Sequence, residues 1–147
     1  MKTIRLNTRT TKIFVGVVAA LFLFTIDLQA KKVSFLKSSV VPAARGYVKI
    51  TRDDNRNYNI KINLSDLAEV FRLQPSKLTY VVWMVSSENN TLNMGQIKSS
   101  ATFLTKKLKA TFETTTSLKP TRIFVTAEDD PSFQVPGEQL ILTTKRF

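Results

Sequence analysis

The chain has 147 residues and among them no cysteine and no histidine. Without cysteine there is no thiol to carry a lipid anchor, no disulfide framework, and no thiolate nucleophile or metal ligand. Without histidine it lacks the one side chain whose ordinary pKa lies near neutrality, which is also the commonest neutral metal ligand. Zinc, haem, and Ser-His-Asp or Cys-His catalysis are excluded together. Four glycines in all leave little room for a phosphate loop or a dinucleotide glycine motif, and neither pattern occurs. Acidic residues are scarce too, 11 against 22 basic ones, for a net charge of +11.

What is present begins with a basic start, Lys2, Arg5, Arg9 and Lys12, followed by an apolar run from Ile13 to Ile26. A membrane-crossing helix needs roughly 20 apolar residues. This run is shorter and has the size of a signal-peptide core, with Leu28-Gln29-Ala30 offering a small residue at the cleavage position. Residues 1–30 are therefore expected to be a signal peptide, with an uncleaved anchor as the alternative. The remaining 117 residues (31–147) suit one domain large enough to bury a core unaided. Removing the first 30 takes away four basic residues and Asp27, leaving +8. Such a charge favours anionic partners through long-range attraction. It equally suits a scattered, solubilising surface, since Lys49, Arg52, Lys61, Lys107 and Lys109 fall at alternating strand positions.

The dominant period is two, the spacing of half-buried strands. "GYVKITR" (46–52) runs into a polar turn at 53–57, and "YNIKINL" (58–64) returns with Tyr58, Ile60, Ile62 and Leu64 on one face. Asn59, Lys61 and Asn63 take the other. "SDLAEVFRL" (65–73) breaks the alternation, and Asp66 followed by Glu69 fits a capping box, so one or two helical turns are expected there. "LTYVVWMVS" (78–86) is apolar throughout, as in a central strand covered on both faces. "LNMGQIK" (92–98) follows a turn and carries Gly95 as a candidate bulge. Further strands are expected at 106–113, with Leu108, Ala110 and Phe112 inward, at 121–128 and at 138–145, and an edge strand at 32–37. The expected fold class is all-β: an antiparallel, immunoglobulin-like β-sandwich of seven or eight strands with one short helical crossover, after an N-terminal signal peptide. On such a central strand Trp83 is expected to pack in the core between the sheets rather than to stack on a ligand.

Candidate chemistry is thin. The clustered carboxylates, Asp53-Asp54 and Glu128-Asp129-Asp130, lack the spacing that wraps a calcium ion and read as solvated turn charges. Asn63-Leu64-Ser65 and Asn89-Asn90-Thr91 match a glycosylation pattern common by chance, and no function attaches to them. No catalytic, cofactor-binding or metal-binding residue is assigned, no cofactor is implied, and the binding residues are left open.

Two segments resemble a known family. "LTYVVWMVSSENNTLNMGQI" (78–97), with Tyr80, Trp83 and Gly95, resembles the Y-x-x-W strand, polar turn and glycine-bearing return of the extracytoplasmic domain of anti-sigma-K-type factors. "KPTRIFVTAEDDPSFQVPGEQLILT" (119–143), with Val125, Thr126, Glu128, Pro136 and Gly137, resembles the end of that domain. The wording is also similar to small exported proteins of Bacteroidota. The resemblance spans about residues 46–147 and implies an immunoglobulin-like sandwich outside the membrane. It does not carry the family's sigma-factor binding, because only 12 residues precede the apolar run and the zinc-binding segment is absent. The loop at 129–133 also replaces the family's glycine-rich one.

The expectation is an exported, non-enzymatic binding module of the cell envelope, periplasmic or secreted. Its partner would be an anionic envelope component or another protein. Nucleic acid does not fit an exported address, and a membrane enters only if the N-terminal segment is retained. Alternatives are a surface-assembly subunit pairing through edge strands, or a membrane-anchored sensor-like domain. An enzyme built on Ser-Lys or carboxylate chemistry would need those groups brought into one pocket.

Overall fold

Alternating apolar and polar side chains bury one face of a strand and wet the other, so several such strands in one chain must find a common core. The computed structural model describes residues 30–97, 99–100 and 108–147. The expected signal segment, bar Ala30, and the start of the expected 106–113 strand lie outside them. Nine strands are formed among the described residues: β1 (Lys31–Ser34), β2 (Arg45–Arg52), β3 (Tyr58–Leu67), β4 (Thr79–Ser86), β5 (Thr91–Ile97), β6 (Ser99–Ser100), β7 (Leu108–Thr116), β8 (Pro120–Glu128) and β9 (Leu140–Thr143). They build two antiparallel sheets, ordered β1-β2-β3-β7-β6 and β5-β4-β8-β9.

One buried cluster draws on both sheets. Val48, Ile50, Ile60, Ile62 and Leu64 come from the first, and Tyr80, Val82, Met84, Ile123, Val125 and Ile141 from the second. The inward set of β3 is the one its alternation predicts, with Ile60, Ile62 and Leu64 buried, Asn59 and Lys61 exposed and Asn63 half-buried. Leu108 and Ala110 are buried as expected, with Phe112 partly so. At Phe35 the chain passes from one sheet to the other. Its N–H donates to the Gly46 carbonyl of β2, while Phe35 bridges Thr144 beyond β9 and Leu36 N–H donates to Thr143.

Two local expectations hold in detail. The 53–57 turn is fastened by Asp53, whose carboxylate accepts from the Asn57 N–H at 2.8 Å, with Arg56 at positive φ. Gly95 sits at φ +122°, where the register between β4 and β5 shifts, so the bulge rests on a conformation that favours glycine.

Two others are corrected. The segment 65–73 is not a capped helix: Ser65 to Leu67 continue β3, and a single 3-10 turn forms at Val70–Arg72 with no side-chain cap. Asp66 does not cap because it adopts φ +59° and pairs with Arg45 at 2.7 Å. Trp83 is buried, but not between the sheets. Strand parity sends Tyr80, Val82 and Met84 to the shared core, and Val81, Trp83 and Val85 to the opposite face of β4. No helix among the described residues is long and apolar enough to cross a membrane.

Candidate functional site

The two sheets differ in what lies on their outer faces. On the four-stranded sheet Val81, Trp83, Val85 and Phe124 form a second buried cluster, and the loop 129–139 folds over it. Asn93 on β5 donates to the carbonyls of Pro131 and Phe133 at 2.8 and 2.7 Å, tying the loop across the sheet. Beneath it runs a chain of hydrogen bonds. Trp83 Nε1 donates to Thr126 Oγ1 at 2.7 Å, Thr126 donates to Glu128 Oε1 at 2.5 Å, and the Gly137 N–H donates to the same oxygen at 2.7 Å. A Cβ on Gly137 would stand 2.6 Å from Glu128 Oε2, so that close approach needs glycine. Trp83 thus has both its apolar surface and its polar handle satisfied internally, which leaves nothing for a ligand to take.

The reading of Glu128-Asp129-Asp130 as solvated turn charges is corrected in one member. Glu128 is only 2% exposed because it accepts from Thr126 and Gly137 under the loop. Asp129 and Asp130 are exposed. Asp129 pairs with Lys77 at 2.6 Å, and hydrogen bonds from Ser132 hold the Asp130 carboxyl below its ordinary pKa. Asp53 fastens its turn and Asp54 is exposed. Among the described residues, no three carboxylates converge in a way that could hold a metal ion.

Among the described residues, nothing covers the outer face of the five-stranded sheet, which is polar. Register places Lys32 opposite Lys49, Lys49 opposite Lys61, and Lys61 opposite Glu113. The three lysines therefore stand in one row across β1, β2 and β3, all exposed. Neighbouring strands lie about 5 Å apart, and like charges directly opposite each other oppose folding. Glu113 compensates one of them: the Lys61–Glu113 ion pair ends the row, and its hydrogen bond and charge raise the Lys61 pKa. At the other end the Lys32 ammonium rests 3.9 Å from the centre of the Tyr47 ring.

Amide and hydroxyl rows flank the charges. Thr115 donates to Asn59 Oδ1 at 2.8 Å on one side, and Thr111 to Asn63 Oδ1 at 3.5 Å on the other. Lys49, Thr51, Asn59, Lys61, Glu113 and Thr115 line a shallow depression. Lys109 on β7 and Arg45 on β2 add charge toward one end, with Arg45 paired to Asp66. The sequence pattern marks Lys49, Lys61 and Lys109 as outward but does not show that Lys49 and Lys61 align with Lys32. The alternation of each strand carries the facing, whereas alignment depends on register between strands distant in the chain. Lys107 lies outside the described residues, and Arg52, also exposed, rests 5.4 Å from the Tyr58 ring.

Other surface features carry less chemistry. Two shallow depressions that share Pro42 and Ala43 lie beside the 35–45 segment, lined mainly by apolar side chains. Comparison with protein-family models, with curated proteins and with solved structures finds no match.

Proposed function

We propose that the chain is an exported, non-enzymatic binding module that holds an anionic component of the cell envelope on the bare face of its five-stranded sheet. The observation that carries this reading is the row Lys32, Lys49, Lys61, three ammonium groups on adjacent strands with one acidic partner at its end. Folding alone is better served by alternating charges at such positions. A face that retains three like charges side by side is set up to receive a compensating anion.

The fold is proposed to be an immunoglobulin-like sandwich, a reading supported by the order β2-β3-β7-β6 against β5-β4-β8-β9. Likeness to the extracytoplasmic domain of anti-sigma-K-type factors is proposed on sequence alone, and four of the positions it rests on are neighbours in the fold. Trp83, Thr126, Glu128 and Gly137 form a single hydrogen-bonded chain, so they belong to a scaffold rather than to a ligand site. Assembly through edge strands is the weaker reading. The β1 edge carries Lys31 and Lys32, β5 is bulged at Gly95, and β9 is continued by Phe35 and Leu36. Each of these devices blunts strand addition.

The test is retention of the protein on envelope material from its host across a salt series, beside Lys49→Glu and Lys61→Glu. Retention that falls steeply with salt and is lost in both variants is the expected result. Retention indifferent to salt and to both variants overturns the reading. Export is tested separately: a protein recovered outside the cytoplasm with a mass beginning at Lys31 is expected, and a full-length cytoplasmic protein overturns the address.

A further inference from the structure

We propose that the anion held on this face is a linear acidic polysaccharide, carrying a carboxylate on each sugar and lying across the strands along the lysine row. This inference rests on the cationic face being the binding surface. The row itself sets the geometry of the ligand. Lys32, Lys49 and Lys61 rise from positions one strand apart, a spacing of about 5 Å in a straight line perpendicular to the chain direction. An extended polymer with one charge per ring advances by a comparable length per sugar, and the long, flexible lysine side chains can reach carboxylates on either side of it, so its charges meet the ammonium groups along the row. A compact anion would engage one or two of the lysines and leave the others opposed.

What flanks the row distinguishes a sugar from other anionic partners. Asn59 and Asn63 stand two residues to either side of Lys61 on β3, and each amide oxygen accepts a threonine hydroxyl from β7. Those bonds occupy the acceptor ends and leave the amide nitrogens as donors beside the charges. Thr51, Thr111 and Thr115 add hydroxyl groups on the same face. Such a surface suits a ligand with hydroxyl and carboxylate oxygens spread along its length. A lipid surface calls for apolar side chains that enter the acyl boundary. Among the described residues this face offers none, and Tyr47 on it lies half-buried beneath the Lys32 ammonium. The Lys61–Glu113 ion pair closes the row on the β7 side and would oppose a further carboxylate there, fixing where the polymer's charges stop.

The experiment is a calorimetric titration of the 31–147 domain within the intact protein, purified as it occurs in its host. The probes are oligogalacturonates of increasing length, their methyl esters, polyphosphate, and vesicles containing phosphatidylglycerol. Affinity should rise with each added sugar up to the length that spans the three lysines and then level off. Methyl esters should not bind, and Lys49→Gln should weaken the longer oligomers by roughly three- to fivefold. These side chains are exposed, so the variant is expected to fold, and its circular dichroism and melting curve confirm that before titration. Binding of polyphosphate or vesicles that depends on Lys49, with none for oligogalacturonates, overturns the polysaccharide and leaves the anion-binding face standing. Lys49-independent binding of oligogalacturonates overturns the site. Absence of any Lys49-dependent binding among the four probes overturns this inference and, with salt-indifferent retention on envelope material, the function it rests on.

Discussion

The two central strand pairs, β3 with β7 and β4 with β8, have similar lengths and lie on opposite sides of one core, yet their sequences obey different rules. "YNIKINL" on β3 alternates, because its outer face meets water. "YVVWMVS" on β4 and "IFVTAE" on β8 do not alternate, because loop 129–139 covers their outer face. A continuously apolar strand thus reports a second layer of cover, which need not be a second sheet. Polar contacts tie the loop down: Asn93 on β5 donates to the Pro131 and Phe133 carbonyls, and Glu128 on β8 accepts from the Gly137 N–H. Among the described residues the other sheet has no such cover, and its lysines are exposed. The scaffold was built twice over on one side, and the other was left available.

The largest test of that contrast is at Trp83. Trp83→Ala should lose about 3–5 kcal/mol, the range for deleting a large buried aromatic side chain. Asn59→Ala, at a comparable place on the bare face, should change stability by no more than about 0.5 kcal/mol. Urea denaturation of both variants makes the comparison, and near-equal losses would mean that the loop does not enclose Trp83 as a true core. Next in size is Glu128→Ala, which strands the Thr126 hydroxyl and the Gly137 N–H and should cost about 1–3 kcal/mol. Hydrogen exchange at the Gly137 amide should quicken in that variant. An unchanged exchange rate there would separate the loop's closure from its carboxyl anchor.

How much of this was legible in the sequence follows from which contacts are local. The inward set Ile60, Ile62 and Leu64, the Asp53 turn and the Gly95 bulge all follow from residues close together in the chain. The buried state of Trp83 was legible, but its face was not. A run without alternation carries no parity signal, and only pairing with β8 fixes which side each residue takes. Glu128 was misread because adjacent carboxylates usually lie on solvated turns, and nothing in the sequence announces a loop that returns nine residues later to donate to one of them. The apparent capping box at Asp66 failed as well. Asp66 sits at φ +59°, outside the extended conformation an N-cap adopts, and pairs with Arg45 on β2. The lysine row was likewise hidden, since its members come from three strands and only register aligns them.

The shared core offers a test by pH. Burial pushes the Tyr80 phenol up from its ordinary 10.0 to about 12, and its hydroxyl donates to the Ala68 carbonyl at 2.8 Å. A folded-state pKa above the unfolded one means that the neutral phenol stabilises the fold. That contribution is fully present below pH 10 and is lost as pH rises toward 12. The urea midpoint should therefore fall across that window. In Tyr80→Phe the fall should be reduced, against a cost of about 1 kcal/mol at neutral pH for the lost hydrogen bond. An identical alkaline decline in the two proteins would place its origin elsewhere.

The smallest effect expected is also the one that separates folding from function. Lys49 stands between Lys32 and Lys61, so it faces a like charge on each side. Lys49→Glu replaces two repulsions with two attractions while burying and exposing almost nothing. Exposed cross-strand pairs are weak, and salt screens them, so a rise in Tm of roughly 1–3 °C at low salt is expected, shrinking as salt is added. The same substitution should remove retention on anionic envelope material. Opposite signs for stability and binding at one exposed residue would mean that the row is kept for what it holds and not for the fold. If Lys49→Glu instead lowers Tm, the lysines are serving the sheet through contacts of their stems, and the contrast between a finished face and an available one would have to be given up.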